Sequence, residues 1–207
     1  MKSFKRTLVA AVAVSLLASP AFALIGHTKH DLSSGSGNTI VGTSDEICVY
    51  CHTPHGAASV ADAPLWNRTT PAVTSIYTSN SIDATITLTE VQASDAPLCL
   101  SCHDGASMTA ALNNTPNAGG GNPAANIGAV ETNLGTDLSN DHPVGFVFTT
   151  ALVDSEIQTP STAPVDFGSG SNEMWCSSCH DVHDDSNPPF LVMSNTGSDL
   201  CLDCHKK

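Results

Sequence analysis

Eight cysteines and four of the nine histidines fall into one repeated arrangement. Cys48 and Cys51 are followed by His52, Cys99 and Cys102 by His103, Cys176 and Cys179 by His180, and Cys201 and Cys204 by His205. Two thiols three positions apart lie on one side of a helical turn. From there both can add to the two vinyl groups of one porphyrin, and the next residue brings an imidazole to its iron. That is the attachment signature of a c-type haem, and four copies predict four covalent haems. Zinc is the rival use of paired CxxC elements, and an even cysteine count also permits a disulfide framework. Neither requires a histidine after the second cysteine. With 9 histidines in 207 residues, chance would place one after all four pairs about four times in a million.

Five histidines remain outside the motifs: His27, His30, His55, His142 and His183. Four irons, each with one motif histidine, leave four axial positions to fill, so the supply exceeds the need by one. Met108, Met174 and Met193 are the competing ligands and would raise a haem's potential. Their ordinary use is packing. An enzyme would need an iron left open, and the histidine surplus argues against one. His52 and His55, like His180 and His183, are three apart. On a helical turn the two members share a face, whereas the two ligands of one iron approach from opposite faces. His55 and His183 are therefore expected to serve haems other than those of His52 and His180, holding haems close together.

The elements that must position these residues are short. Helix is expected mainly as single turns at the motifs. Ala84–Thr89 alternates apolar residues with threonine and reads as a strand, and Val144–Leu152 as a second. Residues 105–140, with Gly119-Gly120-Gly121 and Pro123, and residues 154–175 read as loop. Aromatic content is 5%, too little for a conventional core in a chain of this length. Haems held by thioethers and iron bonds would act as staples in its place. The expected fold is mostly irregular, with short helices at the motifs and a few short strands, wrapped around a chain of four haems. The motifs are too unevenly spaced for a solenoid.

Residues 1–23 read as a secretory signal. Lys2, Lys5 and Arg6 form its basic end, an apolar run spans Leu8 to Ala18, and Ala21-Phe22-Ala23 is a cleavage site. The run is too short to span a bilayer comfortably. Residues 24–207 then form a single tetrahaem domain, with no membrane span, in the periplasm or outside the cell. Covalent haem suits that setting, since it is attached outside the cytoplasm. The formal charge of the whole chain is −13. Beyond residue 23 only Lys29, Arg68, Lys206 and Lys207 oppose 20 acidic residues, a net −16. Such a surface disfavours nucleic acid and anionic lipid as partners.

Several stretches together carry a family resemblance. Cys48 to Gly56 (CVYCHTPHG) follows Lys29-His30-Asp31-Leu32-Ser33. Cys99 to Gly105 (CLSCHDG), Asp141 to Phe146 (DHPVGF), Cys176 to His183 (CSSCHDVH) and Cys201 to Lys207 (CLDCHKK) complete the set. These resemble the paired-CXXCH multihaem cytochromes of metal-reducing bacteria, in particular the tetrahaem members that polymerise into extracellular nanowires. The resemblance implies bis-histidine haems with His30, His55, His142 and His183 as distal ligands and His27 as the spare. The family's CHxPHG pattern is altered to CHDVHD at His180 to Asp184, a departure in the following turn and not in the ligand.

Three functions follow as expectations. The chain is a subunit of a conductive extracellular filament, a soluble periplasmic or surface electron shuttle, or a reductase with one open haem. Its partners would be redox proteins or extracellular electron acceptors, and further copies of itself joined head to tail. An N-terminal arm bearing His27 and His30 would ligate a neighbour's haem, or His30 ligates within its own subunit and His27 is merely solvated. The sequence leaves both open.

Overall fold

The computed structural model describes residues 25–60, 65–116, 121–130 and 132–206. The segment read as a secretory signal lies outside them. Most of the described chain is irregular. Four short α-helices are α1 (Leu88–Ala93), α2 (Ala96–His103), α3 (Phe148–Ala151) and α4 (Asp199–Cys204). Single 3-10 turns lie at Cys48–Tyr50, Cys176–Ser178 and Thr196–Ser198. The strands have two residues each. β1 (Ser75–Ile76) runs parallel to β2 (Asp137–Leu138), and β3 (Phe146–Val147) runs antiparallel to β4 (Glu173–Met174). Among the described residues no helix is long and apolar enough to cross a membrane.

Every motif sits on a helical turn, as its spacing predicts. The two strand expectations need correction. Residues 84–89 form no strand. Thr87 is extended and caps α1: its Oγ1 accepts the Glu90 N–H at 3.2 Å, and the Glu90 carboxylate accepts the Thr87 N–H at 3.0 Å. This reciprocal box satisfies two otherwise orphaned N–H groups, and that local gain overrides the alternation. In Val144–Leu152 only Phe146 and Val147 are strand, and α3 follows. The two strands are antiparallel, so β3 ends opposite the start of β4: Val147 faces Glu173, and the Phe148 N–H donates to the Asn172 carbonyl at 2.8 Å as α3 begins. Strands β2 and β4 fall inside the stretches read as loop.

Among the described residues, buried apolar side chains gather in three small clusters rather than one core. Val73, Val91, Ala96, Leu100 and Leu138 pack together, with Cys176 against them. Leu32, Tyr50, Met108 and Leu112 gather beside Cys102. Ala84, Phe146, Phe148 and Met174 gather beside Cys179 and Cys204. Each cluster thus has a motif cysteine at its edge. Close approaches hold this thin packing together: a side chain at Gly42 would collide with the Tyr50 ring. The Tyr50 hydroxyl donates to the Ser44 carbonyl and accepts the Ser44 N–H, both at 3.0 Å.

Candidate functional site

Three of the four motifs close with the same bond. The histidine N–H donates to the carbonyl of the first cysteine, at 2.8 Å for His52, 3.1 Å for His180 and 2.9 Å for His205. The second motif is the C-terminal half of α2, entered through Pro97 in its first turn. Beyond the turn the chain does not continue as helix. His52 forms an isolated bridge with Trp66 and His180 with Leu191. His52 and His55 therefore do not share a helical face, and neither do His180 and His183. The premise drawn from their three-residue spacing is corrected, and the rings are placed by tertiary contacts instead.

Those contacts bring histidines together in three pairs. The ring centres of His30 and His103 are 6.0 Å apart, those of His52 and His183 6.1 Å, and those of His142 and His205 6.2 Å. An iron–imidazole bond of about 2.0 Å, with about 1.15 Å from nitrogen to ring centre, puts two opposed ligands of one iron about 6.3 Å apart. Each pair joins one motif histidine to one from outside the motifs, and no histidine is used twice. Among the described residues no such ring pairing joins His55 to His180, and both are exposed. His27 is also exposed, and its N–H donates to the Asp31 carboxylate.

The ring nitrogens are oriented as metal ligation requires. Nδ1 of His103 lies 2.7 Å from the Thr132 carbonyl, that of His142 3.0 Å from the Pro143 carbonyl, and that of His180 3.2 Å from the Pro189 carbonyl. A carbonyl only accepts, so each Nδ1 carries the proton and Nε2 keeps its lone pair for a metal. His30 stacks on Phe190 at 4.3 Å. Burial, together with the neighbouring His103, holds its pKa down to about 4. His142 is lowered in the same direction, chiefly by lost solvation. Both are thereby kept neutral, the form that binds iron.

The thiols of successive motifs are neighbours. As a free thiol Cys51 is pushed up to about 12, first by burial and next by the charge of Cys102. Cys99 and Cys176 lie with Asp95 in one group whose ligand atoms are all within 4.8 Å of each other. Cys204 is pushed up to about 11 by burial, then Asp203, then Cys179. Electrostatic influence between thiols thus links the first motif to the second and the third to the fourth, and the Asp95 group links the second to the third. All eight cysteines are free thiols. A cavity of about 420 Å³ opens between the last two motifs, lined by Cys179, Cys201, Cys204, His142 and His205 and by apolar side chains including Phe146 and Met174. Paired imidazoles, twin thiols and an apolar slot suit a haem.

Sequence reasoning missed residues that set this geometry. Asp95, buried, accepts the Cys176 N–H at 2.9 Å and the Ser177 N–H at 2.8 Å, capping the third motif from the start of α2. Asp203 accepts the N–H groups of Ser161, Thr162 and Ala163. Burial opposes its ionisation, but these bonds bring its pKa down to about 2. Asp31 holds the turn that carries His30, accepting from His27 and Ser33. The Asp95 and Asp203 bonds join segments far apart in sequence, and no local pattern announces them, whereas Asp31 and Ser33 form a local turn. Met108 and Met174, the alternative ligands, are both buried in apolar clusters.

The CxxCH turns define a protein that carries covalently bound c-type haem. Residues 167–207, spanning the third and fourth motifs, match the doubled CXXCH motif family. This match supports a multihaem c-type cytochrome working in electron transfer. No curated protein matches the chain.

Proposed function

We propose that the chain is a tetrahaem electron-transfer protein that works outside the cytoplasm, wraps around its haems and assembles head to tail into a conductive filament. The cysteines of each motif form the thioethers, and His52, His103, His180 and His205 are the proximal ligands. His183, His30 and His142 are the distal partners of His52, His103 and His205. The three ring pairs carry this reading, since each supplies a complete axial set. His55 is the distal candidate for His180. Each bound haem supplies a one-electron ferric/ferrous couple. The remaining residues hold that couple still: the Nδ1 bonds fix ring orientation, and the apolar clusters exclude water. The chain of neighbouring thiols supports close spacing from the first haem to the fourth. The protein is an electron carrier and not an enzyme.

His30 lies beside His103 of the same chain, which favours the reading in which the N-terminal segment completes its own subunit. Assembly then needs another directional contact, or cations, to overcome the acidic repulsion.

Haem quantification of the exported protein should give four per chain. The oxidised spectrum should be wholly low-spin, and electron micrographs of native material should show filaments. Four low-spin haems on a monomer would favour the soluble shuttle. The unpaired His180 favours one further reading, a reductase whose open iron belongs to the third motif. A high-spin fraction of about one quarter, one haem in four, that binds carbon monoxide or nitrite would establish it.

A further inference from the structure

Arg68 is 2% exposed, whereas Lys29 and Lys206 are exposed. Its Nη2 donates to the carbonyls of Ser107 at 3.0 Å and Met108 at 2.6 Å. Its Nε and Nη1 are buried without a partner, and among the described residues it forms no ion pair with a carboxylate. A guanidinium stays protonated even when buried. Bonded only to neutral carbonyls, it keeps its full charge where solvent screens it poorly.

Its position is specific. The adjoining Asn67 donates its N–H to the Cys51 carbonyl at 2.8 Å, and Met108 belongs to the cluster that packs on Cys102. The cation therefore sits at the junction of the first two motifs. Carboxylates also stand against the later motifs, with Asp95 shared between Cys176 and Cys99 of the second motif. The buried Asp95 carboxylate caps Cys176, and Asp203 precedes Cys204. Reduction of an iron from ferric to ferrous adds one electron and removes one positive charge. A fixed cation favours the reduced form, and a fixed anion the oxidised one.

We infer that Arg68 raises the potentials of the haems attached through Cys48/Cys51 and Cys99/Cys102 above those attached through Cys176/Cys179 and Cys201/Cys204, so that the haem chain has a built-in direction. This rests on the four-haem reading proposed above.

The test compares Arg68→Gln and Arg68→Lys with the unaltered, haem-loaded full chain. Dithionite serves as the one-electron donor through mediators, haem content and spin state are checked, and midpoints are read spectroscopically. In Arg68→Gln two of the four midpoints should move negative while two stay, and Arg68→Lys should keep all four near their original values. No movement, an equal movement of all four, or the same movement in Arg68→Lys would overturn the inference, with four low-spin haems still present. A wild-type chain with fewer than four haems would overturn the reading beneath it as well. If Arg68→Gln does not fold, haem-methyl resonances of the unaltered protein followed through stepwise reduction decide the matter. First reduction at the haem of His52 or His103 supports the inference, and first reduction at that of His180 or His205 overturns it.

Discussion

At the scale of single residues, the informative contacts are between histidines far apart in sequence. His183 is exposed and faces the ring of His52. Replacing it with alanine removes one imidazole and little packing. In His183→Ala, electron paramagnetic resonance should show one high-spin haem, assigned by its hyperfine-shifted resonances to the first motif. Added imidazole should restore the low-spin signal. A high-spin haem on the third motif instead would refute the pairing. The residue types needed for this chemistry were legible in the sequence, because CxxCH spacing is local. The partner of each histidine was not, because ring placement depends on bridges such as His52 with Trp66 that no spacing encodes.

At the scale of elements, Asp95 ties α2 to the Cys176 turn. Its carboxylate accepts two N–H bonds and a hydroxyl bond from Ser177. Hydrogen bonds to a charged acceptor contribute about 1.5–3 kcal/mol each and are not additive. Asp95→Ala should therefore lower stability by roughly 2–4 kcal/mol, read as a lower denaturation midpoint with all haems retained. Strand β2 offers a pH-dependent counterpart. The Asp137 carboxyl is held below its ordinary range by hydrogen bonds from the Ser139 side chain and N–H. A folded-state pKa below the unfolded one stabilises above about pH 4. That contribution disappears as pH falls through the lower, folded value. The stability gap between the unaltered protein and Asp137→Asn should be present at neutral pH and should close in acid; a gap that persists there would exclude this role. The elements themselves were only partly legible. The motif turns follow from the spacing, but the alternation in Ala84–Thr89 points to a strand although Thr87 and Glu90 already spell out the capping box of α1. Period-two alternation is weak over six residues, and a reciprocal cap is enough to defeat it.

At the scale of the whole molecule, three clusters of four or five buried residues must organise a mostly irregular chain. The motif cysteines at their edges show where further apolar bulk would join them. On the proposed four-haem reading, such a chain would depend on its cofactors as small scaffolds depend on metals or disulfides. Exported without haem attachment, or with its eight cysteines changed to alanine, it should be expanded. Its hydrodynamic radius should approach the unfolded value, and cooperative melting should be lost. A compact haem-free chain would show that the side chains suffice. The irregular architecture was legible from stretches such as residues 105–140 that are rich in glycine, asparagine and threonine, and the thin packing from the 5% aromatic content. The division into separate clusters was not, since it depends on which distant segments meet.

The His52–His183 contact joins a residue near the start of the chain to one near its end, and this bears on the route to the folded state. Synthesis delivers the N-terminus first. His52 arrives while His183 is still to come, and His27 and His30 are already at hand. On the proposed ligation, either would be a competent ligand for the wrong iron, so early ligation would create a kinetic trap that later exchange must undo. Free imidazoles are protonated below about pH 6 and then bind iron poorly. Refolding of the haem-loaded chain should accordingly show a slow phase at neutral pH that fades near pH 5, and replacing His27 should shorten it.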